Sequence, residues 1–227
     1  MFSGLVIATI AIPARPPHAN REVKPVVRDL LSGVRFIFGH PVIGFVILSI
    51  AAGTFAISAF GSLIAVYVRD VLHANTYLFG ALGSAIGGGM LAGGLVITPL
   101  ARRIHQKAHL ITAGILLCGV AIATIAWAAN SVAALAGCFA IGIGASLLTI
   151  AAMTLMQGQV PAEMRGRVSS SSMSLISISQ GIALLFAGDL ASRLGIAAVF
   201  YGSAALLLVI AIAGTYRLRR LERSVTS

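Results

Sequence analysis

Six stretches of the chain run for about twenty residues each without a charged side chain or a histidine: 42–66, 77–99, 110–128, 132–155, 168–190 and 195–216. Asp189, next to the end of the fifth, is the exception. A helix rises about 1.5 Å per residue, so about twenty apolar residues cross the ~30 Å hydrocarbon layer of a bilayer. Lipid offers the backbone no hydrogen bonds, which leaves helices and closed β-barrels as the spanning structures. Barrel strands are about ten residues long and alternate apolar with polar positions. These stretches are continuous instead. The chain is therefore expected to be all-α, a polytopic membrane protein with six transmembrane helices.

Composition supports this. Of the 227 residues 58% are hydrophobic and 10% charged, whereas about a quarter of a soluble domain is charged. The net charge of +10 raises the question of nucleic-acid binding, which requires a basic patch on a polar surface. The placement of the cations gives a different answer. If the segment before 42 is cytoplasmic, the inner side holds Arg15, Arg21, Lys24, Arg28, Arg35, Arg102, Arg103, Lys107, Arg165, Arg167, Arg217, Arg219, Arg220 and Arg223. Only Arg69 and Arg193 then lie outside. Lysine and arginine are retained on the cytoplasmic side of membranes. The expectation is a multi-pass protein of the cell (inner) membrane, both ends of its bundle cytoplasmic, with lipid and no nucleic acid as a partner.

The flanks divide accordingly. Residues 1–12 are apolar but too short to span, and basic residues follow rather than precede them, unlike a signal peptide. They read as the remnant of a truncated transmembrane helix. Residues 13–41 form a cytoplasmic linker in which Val27, Leu30, Leu31, Val34 and Ile37 recur at helical spacing, predicting an amphipathic helix. Residues 42–216 are the bundle and 217–227 a basic cytoplasmic tail. The outer connections are short, which places function within the bundle or on its inner face.

Catalytic chemistry finds no support. Cys118 and Cys138 sit within spans and read as small core residues. No CxxC, HExxH or phosphate-loop pattern occurs. Gly144-Ala145-Ser146-Leu147 starts like a nucleophile turn but lacks its second glycine, and no histidine lies in a span to serve as base. No enzyme activity, metal site or cofactor is expected.

Small and weakly polar residues separate helices that pack from helices that face lipid. Glycine, serine and threonine are fewest in the third and sixth spans, which suggests two three-helix repeats, each with its third helix at the periphery. In the second span Gly83 and Gly87, then Gly89 and Gly93, show GxxxG spacing, read as tight packing or as a sliding hinge. Helical stripes of Thr54, Ser58 and Ser62 in the first span and of Gly142, Ser146, Thr149 and Met153 in the fourth are candidates to line a substrate cavity. Ser170, Ser174, Ser177, Gly181 and Gly188 in the fifth, with Gln180 beside them, join that set. Hydrogen bonding between helices is the competing reading of the same stripes.

The inner loop Gln159-Val160-Pro161-Ala162-Glu163-Met164-Arg165-Gly166-Arg167-Val168, which leads into a serine-rich span, resembles the segment before the eleventh helix of major facilitator superfamily exporters. The likeness is to the branch that includes enterobactin exporters and macrolide efflux proteins. Tyr67-Val68-Arg69-Asp70-Val71-Leu72 resembles the segment after the seventh helix there, and the basic linker resembles the one joining the two halves. The resemblance implies the C-terminal six-helix half of a transporter that exports a small hydrophobic, drug-like or siderophore-like substrate by alternating access. Its partner is then a missing N-terminal half or a second copy of the chain. A membrane scaffold without transport is a further alternative. In the loop Pro161 is expected to open a short helix, Glu163 to complement its dipole, and Arg165 and Arg167, around Gly166, to hold carbonyls or carboxylates at inner helix ends. Anchoring and gating both fit this motif. The loop after the second span, Leu100-Ala101-Arg102-Arg103-Ile104-His105, lacks the acidic residue usual in the family. Such exporters are usually coupled to protons, yet no ionisable residue lies at mid-depth here. Asp189 at the outer edge reads first as an i, i+4 partner of Arg193.

Overall fold

The computed structural model describes residues 41–103, 107–160 and 164–225, with Arg35 and Gly39. The expected helix remnant at 1–12, the amphipathic helix of the linker, and Pro161 and Glu163 lie outside the described residues. Among the described residues there is no strand, and six helices succeed one another. They are α1 (Pro41–Asp70), α2 (Thr76–Arg103), α3 (Lys107–Ala128), α4 (Ser131–Gln159), α5 (Arg165–Leu194) and α6 (Ile196–Val225). All six contain a segment long and apolar enough to cross a membrane.

Helices this long joined by links this short must alternate in direction. The links after α1, α3 and α5 therefore share one end of the bundle, away from the basic loops, and each turns through a residue with positive φ: His73 (48°), Ala129 (44°) and Gly195 (87°). A left-handed residue after the last helical turn lets the chain reverse while its amides still reach free carbonyls. Val71 and Leu72 donate to the Tyr67 carbonyl at 3.0 and 3.1 Å, and Gly195 donates to Ala191 at 2.9 Å. The next helix is then capped where the sequence allows. Asn130 Oδ1 accepts the Ala133 amide at 2.7 Å and so starts α4.

The helices pack in the order α2, α4, α3, α6, α1, α5, an arc with α3 and α6 at its centre and α2 and α5 at its ends. Exchanging the first three helices for the last three maps these pairs onto one another: α2 on α4 becomes α5 on α1, α3 on α4 becomes α6 on α1, and α3 on α6 is retained. The two triplets start at opposite ends of the bundle. This is the pattern of inverted three-helix repeats.

Within this chain the third span does not lie at an edge: α3 is the most buried, 61% against 17% for α2 and 11% for α5, while α6 is 33% buried. The low count of small residues in α3 reflects aliphatic packing, with Ile111, Ile115, Ile122 and Ile125 nearly inaccessible. Its few glycines sit where backbones meet. A Cβ on Gly114 would lie 2.7 Å from the Gly144 carbonyl oxygen of α4, and one on Gly119 3.1 Å from Leu207 Cβ of α6.

Two clusters hold the ends. Toward the turn end, the ring of Phe200 of α6 packs at a tilt against two rings of α1, its centroid 4.7 Å from that of Phe60 and 5.1 Å from that of Tyr67. The Tyr67 hydroxyl donates to the Ile125 carbonyl of α3 at 2.8 Å, so three helices meet at one buried ring system. Toward the basic end, Ile47, Val160 and Val168 form a separate small core with Met164 and Leu175 against it.

Candidate functional site

The inner-loop motif can be built from its described residues. Val160, just past α4, is buried against Ile47 of α1 and Val168 of α5. That burial removes its carbonyl from water, and the Arg165 guanidinium donates to it from Nε at 3.2 Å. The Met164 carbonyl accepts the Val168 amide at 2.9 Å, closing the first turn of α5. Ser172 then donates to the Val168 carbonyl at 2.6 Å and Ser170 to the Arg167 carbonyl at 3.0 Å. Arg165 thus bonds a carbonyl just past the end of α4. Gly166 and Arg167 are exposed.

The stripe hydroxyls bond within their own helices. Thr54 donates to Ile50, Ser62 to Ala59, Ser146 to Ile143, Thr149 to Ala145 and Ser174 to Ser170, all within 2.8 to 3.0 Å and all one turn back on their own helix. These protons do not tie helices together. Their oxygens keep acceptor lone pairs.

Exposure sorts the candidate residues. Thr54, Ser58 and Ser62 are half-buried, on the side of α1 opposite Phe60 and Tyr67. Thr149 and Met153 are exposed on α4. Ser174, Ser177 and Gln180 are exposed on α5, and Ser174 and Gly181 lie on the opposite side from Ala183 and Ala187, the residues α5 buries. Ser146 departs from the set. It is buried between α4 and α2, where a Cβ on Gly93 would collide with its hydroxyl.

The glycine pairs of α2 also divide. Gly89 and Gly93 are the contact with α4: a Cβ on Gly89 would meet the Phe139 carbonyl oxygen, and one on Gly142 would sit 2.8 Å from the Met90 nitrogen. Gly83 and Gly87 instead face open space, as do Gly80 on the same helix and Gly181 and Gly188 on α5. Both arc-end helices therefore turn small residues away from the core of their own chain. The aromatic knot of Phe60, Tyr67 and Phe200 escaped sequence reasoning. Its signal was a tyrosine in a run that otherwise lacks polar rings, since a buried phenol seeks an acceptor.

The sequence has relatives. The profile of the Major Facilitator Superfamily matches residues 1–184. A curated Bacillus subtilis (strain 168) protein named as the uncharacterized MFS-type transporter YfmI is 25% identical over 224 residues, which is 96% of this chain and 55% of that protein. The chain spans about half the length of the curated relative it matches.

Proposed function

The chain belongs to the Major Facilitator Superfamily, a family of secondary transporters, and we propose that it forms the C-terminal six-helix half of an exporter of a small hydrophobic, drug-like or siderophore-like molecule. One observation carries the reading: the small-residue faces of α2 and α5 turn outward, at the two ends of the packing arc. Such faces gain little from lipid but allow close approach of another helix. A second six-helix body seated on α2 and α5 covers them and closes a chamber over Thr54, Ser58, Ser62, Thr149, Met153, Ser174, Ser177 and Gln180. Rocking of one body against the other then exposes that chamber to each side in turn. Hydroxyls already bonded to their own helix offer acceptors without strong donors, which suits a largely apolar substrate. The basic ends of the bundle face the cytoplasm of the cell membrane in this reading.

Single cysteines introduced by Ser58→Cys, Thr149→Cys and Ser177→Cys test it with a membrane-impermeant maleimide. The native Cys118 and Cys138 are buried and give little background. Labelling in vesicles of at least one orientation is expected at all three sites. If none reacts from either side, the transport chamber is refuted. Cysteines at Gly87 and Gly181 identify the second body. Disulfide homodimers between them favour two copies of this chain, and cross-links to a different six-helix segment favour a distinct half.

A further inference from the structure

A groove of about 260 Å³ lies between α3 and α6, lined by His109, Thr112, Ala113 and Leu116 on one side and by Ile212 and Thr215 on the other. It is smaller than the ~300 Å³ at which sites for drug-sized ligands begin. It sits at the centre of the helix arc, and none of the candidate chamber residues contributes to it. Ala113 leaves the notch, and the apolar rims Leu116 and Ile212 are 45% and 53% exposed. The polar residues His109 and Thr215 are at one end. Leu116 lies seven residues deeper along α3, about 10 Å at the helical rise. A polar mouth and an apolar floor over that distance match the upper part of a lipid acyl chain beneath its headgroup.

Charge selects the headgroup. Lys107 begins α3 two residues before His109, and Arg102 and Arg103 end α2. Along α6, Arg217 and Arg219 follow Thr215 in the sequence, with Arg220 and Arg223 beyond and Glu222 as the single acid. In the sequence, then, three cations precede His109 within seven residues and four follow Thr215 within eight, where the chain leaves the two walls of the groove. Basic pockets between transmembrane helices recruit anionic headgroups, each cation adding about 1 kcal/mol. We propose that the α3–α6 groove binds one anionic phospholipid from the bilayer leaflet at the basic end, its phosphate among these cations and an acyl chain along Ala113 and Leu116. The site rests on the membrane placement of the bundle and is independent of what is transported.

Tryptophan quenching by brominated lipid reads the site directly. The single native tryptophan, Trp127, lies at the other end of α3 and is removed by Trp127→Phe. A reporter is placed by Leu116→Trp, or at the control position on the exposed side of α6 by Val209→Trp. The protein is reconstituted in phosphatidylcholine bilayers doped with equal amounts of acyl-brominated phosphatidylglycerol or acyl-brominated phosphatidylcholine. The site predicts local enrichment of the anionic lipid by about fivefold at the groove, the order of one cation's attraction, and little preference at the control. Arg217→Gln with Arg219→Gln should reduce that preference, and Ala113→Phe, which fills the notch from its exposed side, should abolish it. Equal quenching by both lipids at the groove overturns the proposal. So does a preference that is as large at the control position or that survives Ala113→Phe, since either result means a diffuse surface charge rather than a site.

Discussion

Ala129 adopts φ 44° in the turn between α3 and α4, a conformation that costs an L-residue about 1–2 kcal/mol. Its side chain is exposed, so little packing is lost when it is removed. Ala129→Gly is therefore expected to stabilise the protein by roughly 0.5–1 kcal/mol after the added freedom of the unfolded chain is subtracted, seen as a higher denaturation midpoint in detergent. Gly195 is the converse. At φ 87°, ψ 157° it occupies a region open essentially to glycine, so Gly195→Ala should cost about 1–3 kcal/mol in the same assay. Tyr67→Phe keeps the ring against Phe200 but removes the bond to Ile125, and is expected to cost about 1 kcal/mol. At this scale the sequence marked Tyr67 only as the start of the motif that follows the first span. It could not say which carbonyl the hydroxyl meets, because Ile125 is 58 residues away and is brought near by the packing of α1 on α3.

The helices themselves were legible, since a run of apolar residues without charge favours lipid whatever its neighbours do. Facing was not. Gly83 with Gly87 and Gly89 with Gly93 carry the same spacing, yet one pair is open and the other is clamped on α4. A period of four identifies a smooth helix face but not what lies against it. The contrast is testable. Gly89→Val should destabilise the bundle by about 1–3 kcal/mol or more, since it forces a side chain into backbone. Gly87→Val should leave thermal stability in detergent within about 0.5 kcal/mol and, if α2 docks on a second six-helix body, reduce transport in membranes. Transport unchanged in Gly87→Val would count against that docking face. Ser146 teaches the same lesson, since it shares a helical stripe with Thr149 but is held in the α2–α4 seam.

For the molecule as a whole, charge is kept at the two ends. Asp189 and Arg193 form an exposed i, i+4 pair at 3.1 Å, and Asp70 pairs with Arg69 at the same end of the bundle. Exposed pairs of this kind add little to stability. Asp189→Asn in a complete transporter is thus expected to leave proton-coupled efflux largely intact, and loss of coupling at normal expression would contradict the ion-pair reading. The sequence by itself determined that this chain crosses a bilayer as six helices, that its cations collect at one end of them, and that it resembles the superfamily to which it belongs. Those are properties of consecutive residues, whose transfer energy and charge need no partner in space. Only the tertiary structure decided that α3 lies at the centre of the chain, that α2 and α5 turn small residues outward, and that a groove opens between α3 and α6. Each of these depends on which helix faces meet, and that is settled by backbone contacts at Gly114, Gly119 and Gly142 between residues far apart in the chain.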